Sequence, residues 1–173
     1  LNNGTSKSVF NAEAVRFFDA EKKKWEHIDN SLEEKEDAFE SKSGNFKTRI
    51  SKLQKEKQVE FSKADKQISW EYLGKQGMTV ASEENKIAAA TVLKVNSTTA
   101  YSAKHINSSA VYENIESDTD LEYCLLGNNL KENIIVKERS TGYRYLFALK
   151  TEGLKLRLSE DNESLELYTE SED

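Results

Sequence analysis

The sequence predicts an all-β fold, either an antiparallel β-sandwich or a barrel-like meander of short strands. Three observations carry that expectation. Apolar and polar residues alternate in short runs, as at Tyr143, Tyr145, Phe147 and Leu149, which is the period of a half-buried strand. The runs are separated by turn-forming clusters such as Gly44-Asn45, Gly127-Asn128-Asn129 and Glu160-Asp161-Asn162-Glu163, whose residues tolerate or stabilise reversed chain directions. The one stretch that invites a helix fails the test for one.

That stretch lies between residues 22 and 57. Trp25, Leu32, Phe39, Phe46 and Leu53 recur every seven residues. A coiled coil needs a second apolar seam three residues on. The positions there are Ile28, Lys35, Lys42 and Arg49, and only the first is apolar. Ser41-Lys42-Ser43-Gly44-Asn45 in the middle is turn chemistry, not helix interior. The stretch therefore reads as strands, with no helix longer than three turns.

In chain order, Val15-Arg16-Phe17 begins a strand and Asp19-Ala20-Glu21-Lys22 turns it. Lys24 to Ile28 returns, with Asp29-Asn30 as turn residues. Phe46, Thr48 and Ile50 alternate, as do Val59 and Phe61 before a turn at Ala64-Asp65-Lys66. Ile68, Trp70 and Tyr72 follow. In the second half Ile87, Ala89, Thr91, Leu93 and Val95 share one strand face, and residues 96–109 form a Ser/Thr/Asn-rich loop with a weak strand at Tyr101. Leu121, Tyr123 and Leu125 alternate, then Ile134 and Val136. Tyr143, Tyr145, Phe147 and Leu149 are expected on one buried face, with Arg144 and Leu146 opposite. Leu154, Leu156 and Leu158 alternate, as do Leu165 and Leu167. Closely spaced short strands of this kind suit a sandwich or barrel.

The 173 residues suffice for one sizeable domain. Residues 9–168 read as a single module. Its two halves, 1–75 and 86–173, share one core, because either alone would be marginal. The acidic residues 170–173 read as a frayed exit into a following module, and a first residue of Leu rather than Met reads as an excised piece. The formal charge is −6, with 31 acidic against 25 basic residues. That balance opposes nucleic-acid binding, which needs cations to displace counterions. No apolar run approaches the ~20 residues that span a bilayer, so no membrane insertion is expected. The single cysteine, Cys124, allows no disulfide within the chain and reads as a small buried hydrophobe.

No catalytic or metal-binding residues are assigned from the sequence, and no cofactor is expected. It carries two histidines and one cysteine, with neither a Gly-x-Ser-x-Gly elbow nor a His-Glu-x-x-His helix. Asp118 and Asp120 could offer oxygens to calcium, which takes six to eight. Two are too few, and a turn before a strand explains them. His27, between Trp25 and Asp29, looks site-like but alternates with them as ordinary sheet-face residues do. The candidate ligand-binding residues are the flat aromatics Trp25, Trp70 and Tyr72, which could form a sugar-stacking platform. The plainer account of the same residues is core or sheet-face packing, where aromatics bury most area.

Several short motifs recur in a fixed order. Val15-Arg16-Phe17-Phe18-Asp19 leads into Lys22-Lys23-Lys24-Trp25 and then Ile28-Asp29-Asn30-Ser31-Leu32. Gly44-Asn45-Phe46-Lys47 and Ile68-Ser69-Trp70 follow. Asp120-Leu121-Glu122-Tyr123, Lys131-Glu132-Asn133-Ile134-Ile135, Tyr143 to Phe147 and Gly153-Leu154 complete the series. In this order they resemble the N-terminal region of large bacterial Rhs/YD-repeat, wall-associated-type surface and secreted proteins. One departure is Ala14, where that pattern often carries Pro. The resemblance implies an exported protein of the bacterial cell surface, with partners among the other modules of its own polypeptide and cell-wall or host glycans. Downstream YD repeats would enclose a C-terminal toxin. The family offers no catalytic residue here. Its motif residues Trp25, Ile28, Asp29, Asn30, Leu32, Asp120, Tyr123, Lys131 and Glu132 are expected to be structural, and the function so implied is a non-catalytic structural or adhesion module.

Overall fold

A computed structural model of the chain describes residues 14–53, 57–75, 90–93, 107–116, 118–139 and 144–169. Every regular element among them is a β-strand. The strands are β1 (Arg16–Asp19), β2 (Lys24–His27), β3 (Asp29–Glu34), β4 (Ala38–Ser43), β5 (Lys47–Ser51), β6 (Val59–Lys63) and β7 (Lys66–Lys75). They continue as β8 (Ala90–Leu93), β9 (Asn107–Glu116), β10 (Thr119–Leu126), β11 (Asn129–Val136), β12 (Tyr145–Glu152), β13 (Lys155–Leu158) and β14 (Leu165–Tyr168). The all-β expectation holds. The seven-residue recurrence that mimicked a helix seam places Trp25, Leu32 and Phe39 on three successive strands.

The strands form a six-stranded sheet in the order β12-β7-β6-β5-β4-β3 and a four-stranded sheet in the order β11-β10-β9-β8. Two further ribbons, β1-β2 and β13-β14, stand as separate two-stranded sheets. All the pairings are antiparallel. Local chemistry sets the turns. Asp19 Oδ1 accepts the N–H groups of Glu21 and Lys22, each at 3.0 Å, and closes the β1–β2 turn. Gly127, at φ 58°, supplies the left-handed residue between β10 and β11, a conformation open to Gly without steric cost. At the β13–β14 turn Asp161 Oδ1 accepts the Ser159 hydroxyl at 2.5 Å and the Glu163 N–H at 3.0 Å.

Alternation decides which residues meet. Along β10 burial switches at every residue, so Leu121, Tyr123 and Leu125 are buried while Glu122 and Cys124 face away. Cys124, expected as a buried hydrophobe, is therefore only half-buried, because its register puts it on the outer side of the four-stranded sheet. From the six-stranded sheet Ile50, Val59 and Tyr72 meet Ala110, Tyr112, Leu121, Tyr123 and Leu125 of the other in one cluster. This core draws from both halves of the chain. On the outer face of the six-stranded sheet, Arg49 on β5 bridges Asp37, Glu40 and Glu60 at 2.7, 3.6 and 2.9 Å. Glu40 and Glu60 are its direct cross-strand neighbours.

Hydrogen bonds sew the two sheets together at one end of this core. The β5–β6 ladder is extended by Ser51 N–H, which donates to Gln58 O at 2.9 Å. The fully buried Gln58 turns its side chain toward β7, where Oε1 accepts the Tyr72 N–H at 2.9 Å. The Tyr112 hydroxyl, from β9 in the opposite sheet, donates to Ser51 O with Gln58 O at 3.5 Å. At a second point Asn30 on β3 donates through Nδ2 to Gly127 O at 2.9 Å, and its own carbonyl accepts the Ser108 hydroxyl.

Four expectations need correction. The aromatic face of β12 is half-buried rather than buried: Tyr145 and Phe147 pack against the core, but Leu149 is 39% exposed, close to Leu146 at 43%. β12 is an edge strand, and a bulge between Leu146 and Phe147 breaks its register with β7. Asp29 and Asn30, expected as turn residues, instead open β3, with Ile28 alone between β2 and β3. Leu156, Leu158, Leu165 and Leu167 alternate as expected, on a ribbon hydrogen-bonded into neither large sheet, and are 38–58% exposed. Residues 107–109, assigned to a loop, open β9. The expectations on Ile87, Ala89, Val95, Tyr101, Tyr143 and residues 170–173 lie outside the described residues.

Gln58→Ala is expected to cost about 2–4 kcal/mol, because it opens a buried cavity and strands the Tyr72 N–H. Phe147→Ala, on the half-covered edge, is expected to cost about 2 kcal/mol, below the ~3–5 of a fully buried Phe. Urea denaturation of both variants checks the order; a costlier Phe147→Ala would mean that β12 is covered by something more than its own chain.

Candidate functional site

The three candidate aromatics do not share a surface. Tyr72 is 3% exposed and part of the core; its hydroxyl donates to Glu116 at 2.6 Å. Trp70 lies two residues earlier on the same face of β7, half-buried, with its ring centroid 6.1 Å from that of Tyr123. Its indole N–H donates to Glu132 Oε2 across the sandwich at 3.1 Å. Neither ring offers a flat open surface to a sugar. Their alternation marked them correctly as one face, but sequence does not say which face a second sheet will cover.

Trp25 is different. It is 66% exposed, the highest value among the exposed large hydrophobic residues of the described chain. It sits on β2 directly opposite Phe18 of β1, itself 51% exposed, and the two rings meet edge-to-face at 5.8 Å and 70°. The next pair on this ribbon face is Arg16 with His27, whose Nη2 and Nε2 are 3.4 Å apart. Asp19 and Glu26 belong to the opposite face and are held by lysines: Lys22 reaches Asp19 at 3.1 Å and Glu26 at 3.3 Å, and Lys24 reaches Glu26 at 3.1 Å. Arg16, Phe18, Trp25 and His27 thus form one exposed face, two aromatics beside two nitrogen bases. Arg16 and Phe18 were read only as strand residues. Their pairing with His27 and Trp25 follows once the Asp19 turn fixes the register, and that turn was legible.

The remaining motif residues serve the fold. Ile28 and Asn30 are buried, 2% and 4% exposed. Asp29 Oδ1 accepts the Ser31 N–H at 3.0 Å, and Leu32 packs on the core. Tyr123 is fully buried, edge-to-face with Tyr112 at 6.1 Å and 90°; burial pushes its phenol far up, and the charge of Glu132 adds to this. Lys131 is exposed on β11 opposite Cys124.

Asp118 precedes β10 and Asp120 lies on it, and the Asp118 carbonyl accepts the Lys137 N–H at 2.8 Å. Asp120 Oδ1 accepts the Asn114 N–H at 2.6 Å and pairs with Lys137 Nζ at 2.6 Å. Desolvation pushes the Asp120 carboxyl upward, but the Lys137 and Asn114 hydrogen bonds outweigh it and hold the group below the usual carboxylate range. The Cys124 thiol is pushed up by burial, with Glu122 adding, so it is less nucleophilic than a free thiol. Among the described residues no group of three His, Cys, Asp or Glu is arranged to hold a metal. A shallow groove of about 360 Å³ runs over the outer face of the six-stranded sheet, lined by Glu40, Arg49, Glu60 and Gln67 among others. Arg49 and Gln67 both bond Glu60 there, so these three polar groups are committed to one another.

Compared with known proteins, the chain matches no family model, no curated protein and no solved structure.

Two outcomes follow. Trp25→Ala is expected to change stability by less than about 1 kcal/mol, as an exposed substitution that loses one edge-to-face contact. Trp70→Ala is expected to cost about 3 kcal/mol, near the lower end for large buried aromatics. Chemical denaturation of the pair measures the difference. Because the folded-state pKa of Asp120 is depressed, its contribution is present above the unfolded carboxylate value and lost as pH falls through the folded one. Asp120→Asn should therefore flatten the acid side of the stability profile and lower stability at neutral pH; an unchanged acid limb would exclude Asp120 from that role.

Proposed function

We propose that the chain is a non-catalytic structural or adhesion module of a bacterial cell-surface or secreted protein of the YD-repeat type. The observation that carries this reading is the pair of two-stranded ribbons, β1-β2 and β13-β14, that leave large hydrophobic side chains exposed beside a sandwich with its own core. On β13-β14, Leu156 lies opposite Leu167 and Leu158 opposite Leu165, so four leucines share one face. The other face carries Arg157 paired with Glu166 at 2.6 Å. A lone two-stranded ribbon is marginal in water without a surface to pack on, and contiguous exposed apolar side chains mark contact surfaces. The module's chemistry is thus that of contact with neighbours rather than turnover. The order of motifs supports the bacterial surface setting, where adjoining modules of the same polypeptide supply such neighbours.

A second reading, a carbohydrate-binding module, is favoured by the exposure of Trp25 and takes a different face.

The structural reading is tested with Leu158→Ser/Leu165→Ser, made both in the 173-residue chain and in the complete polypeptide that contains it. In the isolated chain the double change is expected to shift stability by no more than about 1 kcal/mol, the scale of a cross-strand pair. In the complete polypeptide it should lower the denaturation midpoint of the module clearly further. Equal effects in both would remove the neighbouring module as the partner of this face.

A further inference from the structure

The adhesion reading gains a specific surface in the β1-β2 ribbon, on which the inference here rests. We propose that Arg16, Phe18, Trp25 and His27 form a binding platform for a short acidic glycan, an oligosaccharide whose sugars carry carboxylates.

The first ground is geometry. The four side chains belong to two adjacent cross-strand pairs, Phe18 with Trp25 and Arg16 with His27. All four are exposed. Successive same-face positions lie about 6.6 Å apart, two strand rises of about 3.3 Å, which is close to the step between neighbouring sugar rings. A ring stacked on the Trp25 indole therefore places its neighbour over Arg16 and His27.

The second ground is orientation. Phe18 and Trp25 meet edge-to-face rather than by stacking. Phe18 props the indole from one side, so at least one of the two flat indole faces is not covered by it. A buttressed, exposed indole loses little side-chain freedom when a sugar stacks on it, and side-chain ordering is one of the costs of association.

The third ground is charge. The acidic residues on the two strands of this ribbon, Asp19 and Glu26, sit on the other face and are paired with Lys22 and Lys24. The aromatic face holds a guanidinium and an imidazole and no carboxylate of its own. Planar guanidinium matches a carboxylate through two parallel N–H donors. The formal −6 of the whole chain opposes a long polyanion, but at physiological ionic strength its field is screened beyond about 8 Å. A short oligosaccharide bound at one face is the ligand that this balance admits.

The test uses the 173-residue chain with a hyaluronan hexasaccharide, in which every second sugar carries a carboxylate, and an uncharged chitin hexasaccharide as control. Calorimetric titration should show binding of the acidic sugar at least tenfold tighter than of the neutral one. Ligand should protect the exposed indole, so acrylamide quenching of tryptophan fluorescence should fall. Trp25→Ala and Arg16→Gln should each weaken binding at least tenfold while the circular dichroism spectrum and denaturation midpoint stay those of the parent. Should Trp25→Ala not fold, the quenching measurement and Arg16→Gln decide the matter. Equal affinity for both sugars, binding indifferent to Arg16→Gln, or no binding to either sugar overturns the proposal. None of these results touches the leucine face of β13-β14, so failure here is separable from failure of the structural reading.

Discussion

The structure turns on how two sheets of unequal width are fastened. Six strands face four, and the fastening lies where β5 ends and β6 begins. There the β6–β7 ladder runs out: Tyr72 extends past Trp70, the partner of Val59, the first residue of β6. Gln58 fills the gap with its side chain, and Tyr112 reaches across from the other sheet to the carbonyl of Ser51. Buried backbone groups left unpaired cost about 1–3 kcal/mol each, so the end of a ladder inside a core is a weak point unless side chains complete it. Here one glutamine and one tyrosine do so, and the tyrosine ties one sheet to the other. Burial pushes the Tyr112 phenol well above its ordinary range, which favours the protonated form that donates to Ser51 O.

Asn30 repeats that device at the β3 side. Its amide reaches the carbonyl of Gly127 at the β10–β11 turn, and its carbonyl takes the Ser108 hydroxyl. Ile28, beside it, is buried, while Asp29 folds back on Ser31 N–H. A short run thus supplies an apolar anchor, a side-chain hydrogen bond at the irregular start of β3 and a polar clasp within three residues. This gives the Ile-Asp-Asn-Ser-Leu motif a physical meaning that does not depend on a ligand. It also explains why Trp25, close by in the sequence, behaves differently: the clasp begins at Ile28, whose N–H extends the β1–β2 ladder to Val15 O at 3.0 Å, and the ribbon before it meets the large sheet where the Ser43 hydroxyl donates to His27 O at 3.4 Å.

Much of this was legible in the residues. The alternation of Leu121, Tyr123 and Leu125 fixed which side of β10 is buried, and the broken second seam around Lys35, Lys42 and Arg49 excluded the coiled coil. Those inferences needed only a period and a turn. The partner surface was not legible. Alternation places Tyr145, Phe147 and Leu149 on one face, and Leu156 and Leu158 on another, in the same terms; it cannot state that the first is half-covered and the second uncovered. Nor does it reveal that Trp70 and Tyr72 lie beneath a second sheet while Trp25 does not. Each of those outcomes depends on sheet order, and sheet order depends on contacts between residues far apart in the chain, such as Trp70 with Glu132 and Asn30 with Gly127.

The separation of core from ribbons has a consequence for how such a module changes over time. Residues of the fastening, Gln58, Tyr112 and Asn30, are each tied to at least two strands, so their replacement disturbs several elements at once. Arg16, Phe18, Trp25 and His27 pair with one another across their ribbon. Leu156, Leu158, Leu165 and Leu167 do so across theirs. Substitutions there are expected to carry little penalty in stability, since surface changes away from buried features are usually within about 0.5 kcal/mol. Stability resides in the sandwich, and if the ribbons serve the contacts proposed for them, their exposed faces are free to change while the core stays constant.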